Sequence, residues 1–346
     1  MALYLRGFQI LILSCVSLAL LNSSPSAVWA QDAYGSVEQI DDRQAPLQDP
    51  FIFVFTSGED FITVRPGDRA IEIVRFSEGT FDTVIGQDGE GPCEQMDVTA
   101  MDVRADTLFS LDAHQGRILL HDLSSGDCLT SYANSDLRFM NGISVGRSGV
   151  YLTYGQFSSR TPSDTPLFYR FDREAGEIIP KDGPTVDDVN HALLPIAVNA
   201  PLPMHRTEYA IWFTLTGTGQ VFSFDKAAQA PERFPAEVAF PDLDGYDLSS
   251  PDDLAELVDS DVPFIEEMHV LSSGELVLAV RKGAVGEQQV RIYSAEGDLR
   301  AEKDFSADTR IVNIDDDELT FLLVKEDPDQ PYALGRKALV DITERD

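Results

Sequence analysis

Lysine is nearly missing from this chain. Six of its 346 residues are Lys against 20 Arg, and 59 acidic residues leave a formal net charge of −33 at pH 7. A surface of that sign repels DNA, RNA and anionic lipid, which are bound by neutralising phosphate with Lys and Arg. Cysteine is scarce too, at three residues with no CxxC spacing, so no zinc-ribbon pattern is present. The five histidines (His114, His121, His191, His205 and His269) fall in neither HExxH nor His-Cys spacing. No GxSxG occurs; Gly146-Arg147-Ser148-Gly149 reads as a strand turn, and no helix follows Gly217-Thr218-Gly219 to make a nucleotide fingerprint. Helical periodicity is almost absent, and the one long apolar run lies at the start.

That run defines a leader. Arg6 is the only charge before the apolar stretch Gly7–Leu21, and the small, polar segment after it ends Ala27-Val28-Trp29-Ala30. The pattern is that of a secretory signal peptide over residues 1–30, too short for a spanning helix of roughly 20 apolar residues. Ile12-Leu13-Ser14-Cys15 fits a lipoprotein box less well, because Val16–Leu21 would then follow the lipid where a soluble tether belongs. The expected product is exported, to periplasm or medium, with residues 31–50 as an extended lead-in. Its acid-rich, Lys-poor surface resembles those of salt-adapted bacteria. Only Cys93 and Cys128 remain after the leader, and two states are open to them: one disulfide in an oxidising compartment, or two free thiols.

What the rest of the chain has is repetition. Six times an apolar run closes on an Asp or Ser turn: at Phe76-Ser77 to Gly79, His121-Asp122 to Gly126, Phe171-Asp172 to Gly176, Phe224-Asp225, Tyr293-Ser294 to Gly297 and, in a worn copy, Val340-Asp341. Before each closing stands another run of strand length and composition, such as Leu108–Leu111, Gly149–Tyr154, Tyr209–Thr214, Leu276–Val280 and Leu319–Val324. Most closings are roughly 45 to 53 residues apart, the size of a four-stranded blade. The expected fold is all-β, a six-bladed β-propeller of four-stranded antiparallel blades over residues 51–346. One interval is longer, and its excess is the acidic insertion 241–263. There Ser250 caps, Pro251 takes the first helical position, and Asp252 and Asp253 suit the positive end, so a short helix is expected over 252–258.

Gly86-Gln87-Asp88-Gly89-Glu90-Gly91-Pro92-Cys93-Glu94 resembles the G-x-x-G-x-G-P-G-E-F signature of bacterial secreted six-bladed propellers, relatives of the NHL and TolB-type propellers. Leu108–Asp112 and Gly116–Asp122 with Gly126 continue that resemblance, which covers residues 86–130 and implies a fold and an exported location rather than a chemistry. Cys93 stands where the family has Gly, and Gln95 where it has Phe; the unusual Cys93 favours a bridge to Cys128.

Propellers bind ligands where their inner strands converge on the channel mouth, which points to the residues just before each inner strand: Asp97, Asn141, Glu266, Glu267 and Arg310, with Asn199, His205 and Arg206 from the irregular fourth blade. Asn141, Asn199 and Glu266 offer the oxygen donors that suit a hard cation such as Ca²⁺. The set resembles the Glu, Asn and Asp of gluconolactonase and regucalcin-like propellers, whose metal activates lactone hydrolysis, although no motif of those families matches residue by residue. Asp242, Asp244 and Asp247 around Gly245 lack EF-hand spacing and read as an acidic loop. The sequence reading therefore favours a non-catalytic scaffold that recognises a protein, peptide or glycan without a cofactor, with a Ca²⁺-dependent lactonase as the alternative.

Overall fold

The computed structural model describes residues 53–339, except 58–59, 67–70, 78–79, 86–88, 147–148, 156–160, 187–203, 208–209, 216–219, 226–231, 236–262, 283–286, 306–308, 317 and 325–331. The leader, the lead-in, the expected helix 252–258, Asn199 and the Asp242–Asp247 loop lie outside the described residues.

Strands dominate, and they group in chain order into antiparallel sheets. The first sheet holds β1 (Phe53–Ser57), β2 (Asp60–Pro66), β3 (Ile71–Ser77) and β4 (Thr80–Ile85); the second holds β5 (Val98–Arg104), β6 (Thr107–Asp112), β7 (Arg117–Asp122) and β8 (Cys128–Ala133). The third is β9 (Met140–Gly146), β10 (Gly149–Tyr154), β11 (Phe168–Asp172) and β12 (Glu177–Pro180); the fourth is β13 (Met204–Arg206), β14 (Ala210–Leu215), β15 (Gln220–Asp225) and β16 (Glu232–Arg233). The fifth is β17 (Pro263–Val270), β18 (Leu276–Lys282), β19 (Gln288–Tyr293) and β20 (Leu299–Phe305). The last shows three described strands, β21 (Thr309–Ile314), β22 (Glu318–Val324) and β23 (Tyr332–Ala338). Within each sheet, sequence neighbours pair. The first strands touch one another in succession, from β1 through β5, β9, β13, β17 and β21, and β21 meets β1 again.

Burial grades outward along each sheet. The second strands β6 and β10 are buried from their second residue onward, whereas the outermost β8 is half-buried and β12 and β20 are largely exposed. A strand covered on both faces needs continuous rather than alternating apolar character, which is why Leu276–Val280 is an unbroken run and Leu108–Leu111 is broken only by the buried Ser110. Aromatics fill the gap between the third and fourth sheets: Phe168 of β11 stacks on Phe213 of β14 with centroids 4.6 Å apart, and Phe213 on Phe222 at 5.4 Å.

The repeated closing has a local cause. Asp122 Oδ1 accepts the N–H groups of Ser124 and Ser125, Gly126 N–H donates to Asp122 O, and Gly126 takes φ 74°. Asp172 repeats this with Glu174, Ala175 and Gly176, whose φ is 69°. A short acceptor side chain that imitates the turn and a residue free of the Cβ penalty at positive φ are what such a hairpin selects.

A disulfide joins Cys93 to Cys128, with Cα atoms 5.9 Å apart. The segment it holds is also tied by Gln115 to Gly89 O and by Arg117 to Gly91 O and Glu90 O. Gln95, standing where the resembled family has Phe, is buried, and neither its Nε2 nor its Oε1 has a hydrogen-bond partner among the described residues.

Candidate functional site

The first strands all run the same way. Arg104, the last residue of β5, donates to Gly146 O at the end of β9, and Arg206, the last of β13, donates to Val145 O. Asp316, just beyond β21, accepts from Ser272 N–H, just beyond β17, at 2.9 Å. One end of the strand circuit therefore carries the short hairpins, and the other carries the strand ends joined by the longest connections, 155–167, 181–203 and 234–262. The sequence reading treated the candidate residues as one mouth. The structure places His205 and Arg206 at the hairpin end and Asp97, Asn141, Glu266, Glu267 and Arg310 nearer the other, Asn199 lying outside the described residues.

Nearer the starting end, three first strands each skip one residue in their pairing: Thr99 in β5, Asn141 in β9 and Glu266 in β17. A bulge of this kind re-aims the skipped side chain. Asn141 accepts from Thr153 Oγ1 at 3.3 Å and lies against Gly155, where an added Cβ would come within 1.8 Å of Asn141 Cγ. Glu266 pairs with Arg281 Nε at 2.8 Å and accepts from Gln288 Nε2, while Gln288 Oε1 accepts Ile311 N–H of the next sheet at 2.6 Å. Glu267, the next residue of β17, is half-buried. Burial pushes its carboxyl up to about 8, Arg310 opposing and Glu266 reinforcing the shift. Asp97 is raised as well, by burial and by Asp112.

At the hairpin end sit His205 and Arg206, with partners that sequence reasoning missed. Asp102 accepts Val145 N–H at 2.6 Å and lies 3.5 Å from Arg206 Nη1. Burial raises its pKa, and Arg206 and the backbone donors pull it back. The rings of His205 and His269 are 4.0 Å apart, and His269 Nε2 is 3.5 Å from Asp316 Oδ1. Burial, then His269, then Arg206 drive His205 down to about 3, so its imidazole is neutral; His269 is lowered by burial against the pull of Asp316. His269 lies within a strand-like run, Met268-His269-Val270, and carried no signal that set it apart.

Some of these polar groups bridge sheets, whereas Asn141 and Glu266 bond within their own. Asp102 and Arg206 bind the second, third and fourth sheets around Val145, and Gln288 ties the fifth to the sixth. Neighbouring sheets share no backbone ladder, so side-chain to backbone bonds take over that role. Of the expected calcium ligands, Asn141 and Glu266 hold matching bulge positions in the third and fifth sheets, each already engaged. Among the described residues no three His, Cys, Asp or Glu side chains converge on a metal position.

The starting end carries exposed apolar surface. Met96, just before β5, is 39% exposed, and Phe139, just before β9, is 43% exposed. Phe139 stacks on Tyr154 with centroids 6.0 Å apart, and Tyr154 packs against Tyr169 at 6.4 Å.

No family model and no curated protein matches the chain. Solved structures do. A putative exported protein from Bacteroides fragilis superposes with a TM-score of 0.58 at 12% identity, over 91% of this chain and 97% of that one. A member of the DUF4221 family from Bacteroides vulgatus gives 0.58 at 11% identity, over 88% and 99%. A calcium-binding protein, regucalcin, from Agrobacterium tumefaciens gives 0.48 at 11% identity, over 87% and 93%. These neighbours are β-propeller proteins, and at such identities the likeness is one of fold alone.

Proposed function

We propose that this chain is an exported six-bladed β-propeller acting as a non-catalytic recognition scaffold, which binds a protein, peptide or glycan through the face bearing its long connections. The observation that carries the reading is the exposed Met96 and Phe139 at that face, Phe139 on an aromatic row, while the polar groups of the inner strands are engaged in bonds within and between sheets. Aromatic surface held rigidly on a scaffold is what recognition sites use. Export rests on the leader over residues 1–30. No described helix is long and apolar enough to cross a membrane.

The test is a panel of immobilised peptides and glycans probed with the mature chain. Ligands of the scaffold are expected to bind the wild type and to lose binding with Met96→Asp and Phe139→Asp. Binding insensitive to both substitutions would rule out this face.

The Ca²⁺-dependent lactonase stays as a second reading because Asn141 and Glu266 occupy matching bulges. Thermal melting separates the two: a ligand selective for the folded state raises Tm. A rise of several degrees on adding Ca²⁺ favours the metal enzyme, and an unchanged Tm favours the scaffold.

A further inference from the structure

The strand leaving the second sheet crosses to the third through a single 3₁₀ turn, Ser135–Phe139. Asn134 caps it by accepting Asp136 N–H, and Leu137, fully buried, pins it to the core. Side chains three apart in a 3₁₀ turn eclipse one another, so Asp136 and Phe139 lie on one line along its exposed side. The nearest base is directed elsewhere: the stem of Arg138 rests against Gly116, where an added Cβ would meet Arg138 Cγ at 3.1 Å. The aromatic row Phe139, Tyr154 and Tyr169 starts on this turn, and Tyr169 is pushed up to about 12 chiefly by burial, with Tyr154 and the charge of Asp136 adding to it. An exposed ring next to an exposed carboxylate, whose described side-chain contact is a 3.4 Å bond accepted from Ser135 Oγ, is complementary to a planar cation. The guanidinium of an arginine stacks on an aromatic face and pairs with a carboxylate at once. The net charge of −33 draws such a segment in from solution.

We propose that the surface formed by Asp136, Phe139 and the aromatic row behind it docks an arginine-bearing peptide segment of a partner protein, the arginine lying over Phe139 and paired with Asp136. The inference rests on the scaffold reading and narrows it to one partner chemistry.

Fluorescence anisotropy of the mature chain tests it, with a fluorescein-labelled nonapeptide carrying two arginines in a Gly-Ser background, and with citrulline and glutamate in their place. The arginine peptide is expected to bind and the citrulline and glutamate peptides to bind far more weakly. Phe139→Leu, which keeps an apolar side chain against Tyr154 but removes the ring face, should weaken binding roughly fivefold, within the range of a partly desolvated cation–π contact. Asp136→Asn should weaken it by a similar factor and flatten its salt dependence. Asp298→Asn, an exposed acid in a fifth-sheet hairpin, should leave it unchanged. Equal loss with Asp298→Asn would reduce the binding to diffuse charge attraction and overturn the proposal. So would an arginine peptide bound no better than its citrulline form. If neutral glycans or acidic peptides bind with Met96→Asp sensitivity while arginine peptides do not, the partner chemistry is wrong and the scaffold stands. Failure of the whole panel at this face removes both.

Discussion

His205 ties the hairpin end of the molecule to pH. Its folded pKa, about 3, lies below the ordinary 6.5 because burial and two neighbouring cationic or imidazole groups oppose its charge. Between these values the unfolded chain binds more protons than the folded one, so stability is complete above about pH 6.5 and falls as pH drops towards 3. His205→Phe, which keeps a ring against His269, should move the acid-unfolding midpoint to lower pH in a circular-dichroism titration. Glu267 has the opposite sign. Its folded pKa of about 8 exceeds the ordinary 4.5, so stability is greatest below 4.5 and is lost as pH rises through 8. Glu267→Gln should stabilise the protein at pH 7 by up to about 3 kcal/mol and have no effect near pH 4; denaturant melts at the two pH values check this. Gln95 is a third residue-scale liability. A buried amide with no partner costs about 1–3 kcal/mol, so Gln95→Leu should raise the denaturation midpoint, and an unchanged midpoint would mean that water satisfies the amide.

At the scale of elements, the segment Gly89–Met96 is held by side chains of the second sheet and by the bridge from Cys93 to Cys128. Closing a loop with a sequence separation of 35 residues stabilises a fold by about 4 kcal/mol in the chain-entropy model. Cys93→Ser with Cys128→Ser should therefore lower Tm markedly, and thiol titration of denatured, unreduced wild-type protein should find neither Cys93 nor Cys128 reactive. The Asp and Gly of the closing turns at Asp122–Gly126 and Asp172–Gly176 are legible in the sequence, because a turn is decided by residues adjacent in the chain. The bulges at Asn141 and Glu266 are not. A skipped residue is visible only once the partner strand and its register are known.

At the scale of the whole molecule, the charge of −33 is self-repulsive and is relieved by screening. Melting at low and at molar salt should differ, with the higher Tm at high salt; equal values would remove the salt-adapted reading. Strand character, the order of the sheets and their turns could be read from the chain, since each depends on local propensity, apolar runs and short-range turn chemistry. Which polar residues meet could not. His205 and His269 are distant in sequence, Asp102 finds Arg206 only through Val145 of a third sheet, and the expected common mouth divided into two ends. Those meetings are set by the packing of successive sheets around one axis, a long-range arrangement to which no local stretch of residues is sensitive.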